Sequence, residues 1–378
     1  MNVRNRFIKH TITFILMFVS VGFVACEEQN KHKISNSNTS KLQEPITKES
    51  DTNLYHKKAI SFDNKIRAIF QDMHGNHWFG TNDAGVYYFN GKNLIQYTNK
   101  DGLANNQVQI IKEDKLGNIW FGNGGFRISC FDGKRFTTFT DKENINLTPN
   151  IISLSKNTKD KLWFPAGAGV FEYNGKTIDY FRFDNTNLHA KKSSNDPFQL
   201  GPFSVYSILK DKKGKIWLGT QSQGVCCYDG RTLKWYTEKG LSGSAVLALF
   251  EDTKGNIWFG NNGAGLFKLY DNTLINFTEE HKLSNPEFKI SGKDAPGTLA
   301  RIYAINEDKE GNLWIGTVDA GVWRYDGNNL TNFTIQNGLS SNAINTIYKD
   351  KNAELWFGTD SNGICKFNGN NFYQFEIN

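Results

Sequence analysis

Few side chains in this 378-residue sequence are spaced for covalent chemistry. No Gly-x-Ser-x-Gly, His-Glu-x-x-His or phosphate-loop pattern occurs. His74 and His77 stand three apart, but no third ligand accompanies them at metal spacing. His77 also falls in an apolar slot, so a packed, hydrogen-bonded histidine is the expectation. Cys130, Cys226, Cys227 and Cys365 show no zinc or reactive-thiol spacing and are expected as free buried thiols. Asp72, Asp114, Asp211, Asp252, Asp308 and Asp350 recur at regular intervals, usually with Gly three residues later. Each such loop offers one or two side-chain oxygens, against the roughly 6–8 that calcium takes, so a hairpin turn is the better reading. No metal and no cofactor is expected.

The chemistry left is that of recognition. Asn82, Asp83, Gln221, Gln223, Asn262, Asp319, Asp360 and Asn362 lie in short polar segments that follow a tryptophan-centred strand. Amides, hydroxyls and a few carboxylates on a rigid frame suit a polyhydroxylated ligand such as a glycan, although turns are polar in any case. Arg67, Gln107, Asn150 and Arg301 stand at the starts of other predicted strands. The guanidinium fork of the two arginines suits an anionic group. Arg127 replaces the glycine found in the other repeats (Gly85, Gly169, Gly224, Gly265, Gly321, Gly363), marking either a site or a re-formed turn.

The elements that must hold these residues are set by a repeat. Its anchors are Trp78, Trp120, Trp163, Trp217, Trp258, Trp314 and Trp356. A β-branched residue stands twelve before each (Ile66, Val108, Ile151, Val205, Val246, Ile302, Ile344), and an aromatic follows eighteen or nineteen later. Each repeat parses into four short strands separated by turn residues. Ile119-Trp120-Phe121 is apolar at three successive positions, which requires burial on both faces of the sheet. Radially stacked four-stranded sheets give every repeat that environment. The predicted fold is therefore all-β, a seven-bladed β-propeller of four-stranded antiparallel blades. Blades of contiguous chain are expected, with Lys58–Phe62 as an alternative strand for closing the ring. The turns after second strands and the connections between blades share one face. Two of those connections are long, Asp184–Phe203 and Glu279–Leu299, and count as candidate functional loops.

The run Asp-x-x-Gly-Asn-(Ile/Leu)-Trp-Phe-Gly-Thr, then Gly-Val, then Asp-Gly-Leu, resembles the two-component regulator propeller repeat. Gly75–Thr81 with Gly85-Val86 and Asp101-Gly102-Leu103 carry it nearly whole, as do Gly311–Thr317 with Gly321-Val322 and Asn337-Gly338-Leu339. In that family such propellers commonly form the extracytoplasmic sensor half of hybrid histidine kinases. The resemblance implies a stand-alone binding or sensing module and does not imply kinase activity. The Trp-Asp pair of WD40 repeats is absent.

The N-terminus reads as an address. Arg4, Arg6 and Lys9 precede an apolar stretch from Thr11 to Ala25, followed by Cys26. This is the pattern of a secretory signal, and Phe23-Val24-Ala25-Cys26 resembles a lipoprotein box, with Cys26 the lipidated residue. The expected organisation is a signal at 1–25, a flexible tether at 26–58 and the propeller at 59–378. Loss of residues 1–25 lowers the formal charge from +6 to +3 with no basic block, which gives no footprint for nucleic acid. With 29 Phe, 14 Tyr and 9 Trp against a mean hydropathy of −0.52, both a multi-span membrane protein and a disordered chain are excluded. The expectation is a monomer, lipid-anchored in the bacterial cell envelope. It would bind a glycan or other small molecule and possess no catalytic residues. An envelope protein-interaction scaffold is the alternative, and a propeller lyase or sialidase-like hydrolase ranks third.

Overall fold

The computed structural model describes residues 65–123, 127–139, 145–148, 160–167, 169–182, 201–287, 297–361 and 363–376. All belong to the second of two units of the chain, Tyr55–Asn378. Cys26, the signal and the tether lie outside the described residues, as do Asn150, Asn362, Lys58–Phe62 and most of the Asp184–Phe203 connection.

Seven four-stranded sheets form the ring. Six follow chain order as antiparallel meanders. In blade one the strands are Ile66–Gln71, His77–Thr81, Val86–Phe89 and Leu94–Tyr97. The last blade, Ile344–Lys349 to Phe372–Gln374, is likewise built from contiguous chain. Closure is made by contacts between blades seven and one. The Gln71 N–H donates to the Tyr348 hydroxyl (3.0 Å), and Lys351 donates its backbone N–H to the Gln71 side chain (2.9 Å).

Blade three departs from the expected antiparallel pattern. Its described strands are Leu162–Ala166, Gly169–Tyr173 and Ile178–Arg182, with Ile145–Thr148 paired in parallel outside the last of them. The connection from blade two thus runs along the outer edge and covers backbone groups that an edge strand would leave unpaired. The first strand expected at Ile151 lies outside the described residues.

Second strands are buried on both faces, as the apolar triplet requires. Every residue of Ile216–Thr220, Ile257–Asn261, Leu313–Thr317 and Leu355–Thr359 is buried. The core is a set of layers between blades. One layer joins Trp78, Val86 and Tyr97 of blade one to Val108, Ile111 and Phe121 of blade two. Close stacking explains the glycine two residues after the second-strand tryptophan in six blades: a Cβ on Gly80 would stand 2.7 Å from the Val108 carbonyl.

The recurrent aspartate does more than make a turn. Asp72 Oδ1 accepts the N–H groups of His74 and Asn76 (3.0 and 2.9 Å), while Oδ2 accepts the indole N–H of Trp78 (3.0 Å). The same Asp–Trp bond, 2.8–3.0 Å, recurs at Asp114, Asp211, Asp252, Asp308 and Asp350. A tryptophan can be buried here because its one polar atom is satisfied by the hairpin beside it.

Candidate functional site

The first strand of each regular blade carries an irregularity that aims one side chain differently from its neighbours. In blade one Ile66 pairs with Thr81 and Ala68 with Gly80, leaving Arg67 unpaired in the register. The same β-bulge falls at Gln109, Tyr206, Leu247, Tyr303 and Asn345. A bulge bends the strand and turns the extra residue away from the alternation. Ile66 and Ala68 are buried between blades, whereas Gln109 and Tyr206 are exposed and Arg67, Leu247, Tyr303 and Asn345 are half-buried. First strands contact one another from blade to blade and so line the axis. Tyr206 of blade four and Tyr303 of blade six both stand at this bulged position. The Tyr206 phenol is pushed above its ordinary pKa first by burial and then by Tyr303.

Above this belt the mouth is stitched by side chains. Asn82 Oδ1 accepts from Arg67 Nε (3.2 Å) and from Gln107 of blade two (3.3 Å). Arg67 also donates to Asn345 Oδ1 (3.1 Å) and faces Asp360 at 3.8 Å, both in blade seven. Lys65 reaches the same carboxylate at 2.8 Å, and Asn345 donates to it at 3.3 Å. A second cluster spans blades five and six, where Arg301 donates to Asn262 Oδ1 (2.9 Å) and to Asp319 (3.3 Å). The structure therefore brings together Arg67, Asn82, Gln107 and Asp360 in one cluster, and Asn262, Arg301 and Asp319 in another. Both arginines already face carboxylates, Arg301 facing Asp319 and Arg67 sharing Asp360 with Lys65.

Among the described residues, the turns after the second strands of several blades are fixed in one way. The Asn82, Gln221, Asn262 and Asp360 N–H groups donate to carbonyls just before the first strand of their own blade (Lys65, Ser204, Ala245, Ala343; 2.8–3.0 Å). Standing immediately before its first strand, Lys65, and not Arg67, is the counterpart of Gln107 and Arg301. Thr317 Oγ1 donates to the Gly321 carbonyl (2.7 Å) and accepts the Ala320 N–H (2.8 Å). Gly321 has φ +77°, and a Cβ there would stand 2.1 Å from the Phe333 carbonyl. Arg127 departs from the glycine of this frame. It opens the third strand opposite Asn123, is exposed, and is not among the described residues of positive φ. Asn123 takes the Thr317 position and donates to the Asn105 carbonyl (2.7 Å). Gln223 donates its N–H to Thr220 Oγ1 (3.0 Å), and Asp83 lines a shallow depression with Gln96, Thr98 and Asn106.

The described part of the Glu279–Leu299 connection borders a larger depression of about 460 Å³ on blade five. Ser242, Ser244, Ala264, Thr278, Glu279 and Asn285 line it, beside the turn that carries Asn262. Sequence reasoning missed Lys65, Gln109, Tyr206, Leu247, Tyr303 and Asn345. For all of these but Lys65, the available signal was a position eleven before each tryptophan that varies between repeats, with tyrosine alone recurring, while its neighbours stay apolar or small.

The other singled-out groups lie elsewhere. His77 packs on Trp356 (4.4 Å between ring centroids), and burial lowers its pKa. The expected hydrogen bond is missing, since Nε2 finds no partner among the described residues. Cys130, Cys226, Cys227 and Cys365 are free; all but Cys130, which is half-buried, are buried. Burial raises Cys130 and Cys227 to about 12, which keeps them inert thiols.

Six segments match the family described as two component regulator propeller: residues 61–83, 102–125, 202–222, 240–263, 297–319 and 338–361. Blade three is the one left unmatched. Among solved structures, the extracellular domain of the one component system BT4673 from B. thetaiotaomicron is 21% identical with a TM-score of 0.57. The alignment covers 82% of this chain and 40% of that one, so the chain spans about two-fifths of that extracellular domain. Virginiamycin B lyase from Staphylococcus aureus is 15% identical (TM-score 0.58), over 82% of this chain and 97% of the lyase. PorZ, a surface component of the type-IX secretion system of Porphyromonas gingivalis, is 17% identical (TM-score 0.54), over 82% and 48%. These likenesses establish the shared propeller fold. No curated protein matches the chain.

Proposed function

We propose that this chain, a ring built of two component regulator propeller repeats, is an extracytoplasmic sensor propeller that binds a neutral polyhydroxylated ligand, a glycan or related small molecule, at the mouth of its central channel. The observation that carries the reading is that the cations of the two mouth clusters all face carboxylates already in place: Arg301 faces Asp319, while Lys65 and Arg67 share Asp360. What such a mouth offers is directional hydrogen bonding from amides and from ions held by carboxylates, which suits hydroxyl groups. The blade-five depression, lined by serine, threonine and asparagine, extends the same chemistry outward. The bound state would be read by a separate signalling protein, with Cys26 holding the chain at the envelope.

Thermal-shift and calorimetric titration of the full chain against neutral oligosaccharides tests the reading. Micromolar binding that Asn82→Ala weakens is the expected result. Exclusive binding of anionic ligands, or of none, would overturn it. Cys26→Ala should release the protein from membranes, and unchanged partitioning would reject the anchor.

A further inference from the structure

The belt of bulged residues below the mouth has a polarity of its own. In ring order, blades four, five and six contribute Tyr206, Leu247 and Tyr303, an aromatic and aliphatic arc. Blades seven, one and two contribute Asn345, Arg67 and Gln109, an arc of amides and a guanidinium. Tyr206 leaves 40% of its surface open, unlike the 0–8% of Val205, Ser207, Val246 and Ala248 around it, so it is presented to the axis and not to the core. Arg67 is held in place by Asn82 and Asn345, which fixes the polar arc before any ligand arrives.

A wall divided this way matches one kind of solute, a ring with an apolar C–H face and a hydroxylated rim. Aromatic faces take up the first and amides the second. The blades enclose the axis, so only the end of a chain can reach the bulged residues. An internal stretch lying across the face would touch the turns alone. We propose that the channel is a pocket for a terminal pyranose ring, which enters end-on, lays its C–H face on Tyr206 and Tyr303, and turns its hydroxyls to Asn345, Arg67 and Gln109. This rests on the reading that the mouth binds a neutral polyhydroxylated ligand, and specifies which part of that ligand is recognised.

The test uses the full chain and an array of neutral oligosaccharides, with Tyr206→Ala, Tyr303→Ala and Tyr206→Phe variants. The best 1→3-linked array ligand, whose internal rings lack the vicinal diols that periodate cleaves, is then compared with the same oligosaccharide after its terminal ring has been opened by periodate. Tyr206→Ala and Tyr303→Ala should each weaken binding roughly tenfold or more, Tyr206→Phe should stay within about threefold, and the opened ligand should not bind. Bulged residues lie outside the inter-blade core, so thermal midpoints should stay at the wild-type value and serve as the folding control. Array binding that survives both alanine variants, or that tolerates the opened terminal ring, overturns the end-on pocket and leaves the mouth reading standing. Absence of binding across the array overturns both.

Discussion

The two faces of the ring carry opposite kinds of information. On the face of the first hairpins six blades repeat one device, an aspartate that closes the turn and accepts the indole N–H of the tryptophan six residues on. On the face of the channel mouth the backbone frame also repeats, but the side chains mounted on it differ from blade to blade. Repetition marks where stability is made, and variation on a fixed frame marks where a ligand can be told from others. Blade three differs in sequence at this device. The repeat places Asn157 where Asp stands elsewhere, and the buried Trp163 N–H finds no acceptor among the described residues. Its cross-strand neighbour is the buried Glu172, paired with Lys161.

The sharpest way to break the comparison is at Asp252, which is buried and accepts from the Asn256 backbone, the Asn256 amide and Trp258. Asp252→Ala leaves several buried donors unpaired and should cost about 3 kcal/mol in chemical denaturation, with ligand affinity unchanged below the transition. Gly321→Ala comes next. The positive φ and the blocked Cβ position should cost about 2 kcal/mol and disturb the turn beside Asp319.

A pH titration separates the hairpin face further. Burial raises the Asp114 carboxyl, but hydrogen bonds from Trp120, Asn118 and Leu116 outweigh it and hold the group below its ordinary value of 3.8. A depressed carboxylate contributes stability that is complete above the unfolded pKa and lost as pH falls through the folded one. Stability should therefore decline below about pH 4, and Asp114→Asn should flatten that decline. The smallest effect on stability is expected at the mouth. Asp360→Asn removes a partly exposed partner of Lys65 and Arg67 and should cost under about 1 kcal/mol. Its signature should instead be selectivity, a gain in affinity for uronic-acid saccharides over neutral ones.

Much of the scaffold was legible because tryptophan, aspartate and glycine recur at fixed offsets, and offsets are what a sequence displays. The four-strand blades, the contiguous last blade and the Asp turn all derive from them. The Asp–Trp bond did not, because six residues of separation does not say that a hairpin folds the two side chains onto one another. The outer parallel strand of blade three was hidden because Ile145–Thr148 sits in a connection outside the repeat frame. The site was legible only in part. Asn82, Gln107, Asn262, Arg301, Asp319 and Asp360 do meet in clusters, but which residue faces the axis depends on a one-residue bulge. That bulge moved Arg67 from the strand start to the channel belt and brought Tyr206 and Tyr303 into view.

The division between faces is tested most directly by one calorimetric experiment. The oligosaccharide selected on the array is titrated into wild type, Tyr206→Ala and Asp252→Ala, all below the melting transition of the weakest. The prediction is lost binding in Tyr206→Ala at wild-type stability, and retained binding in Asp252→Ala despite its lower stability. The reverse pattern, with affinity following the hairpin aspartate and indifferent to the channel tyrosine, would contradict it.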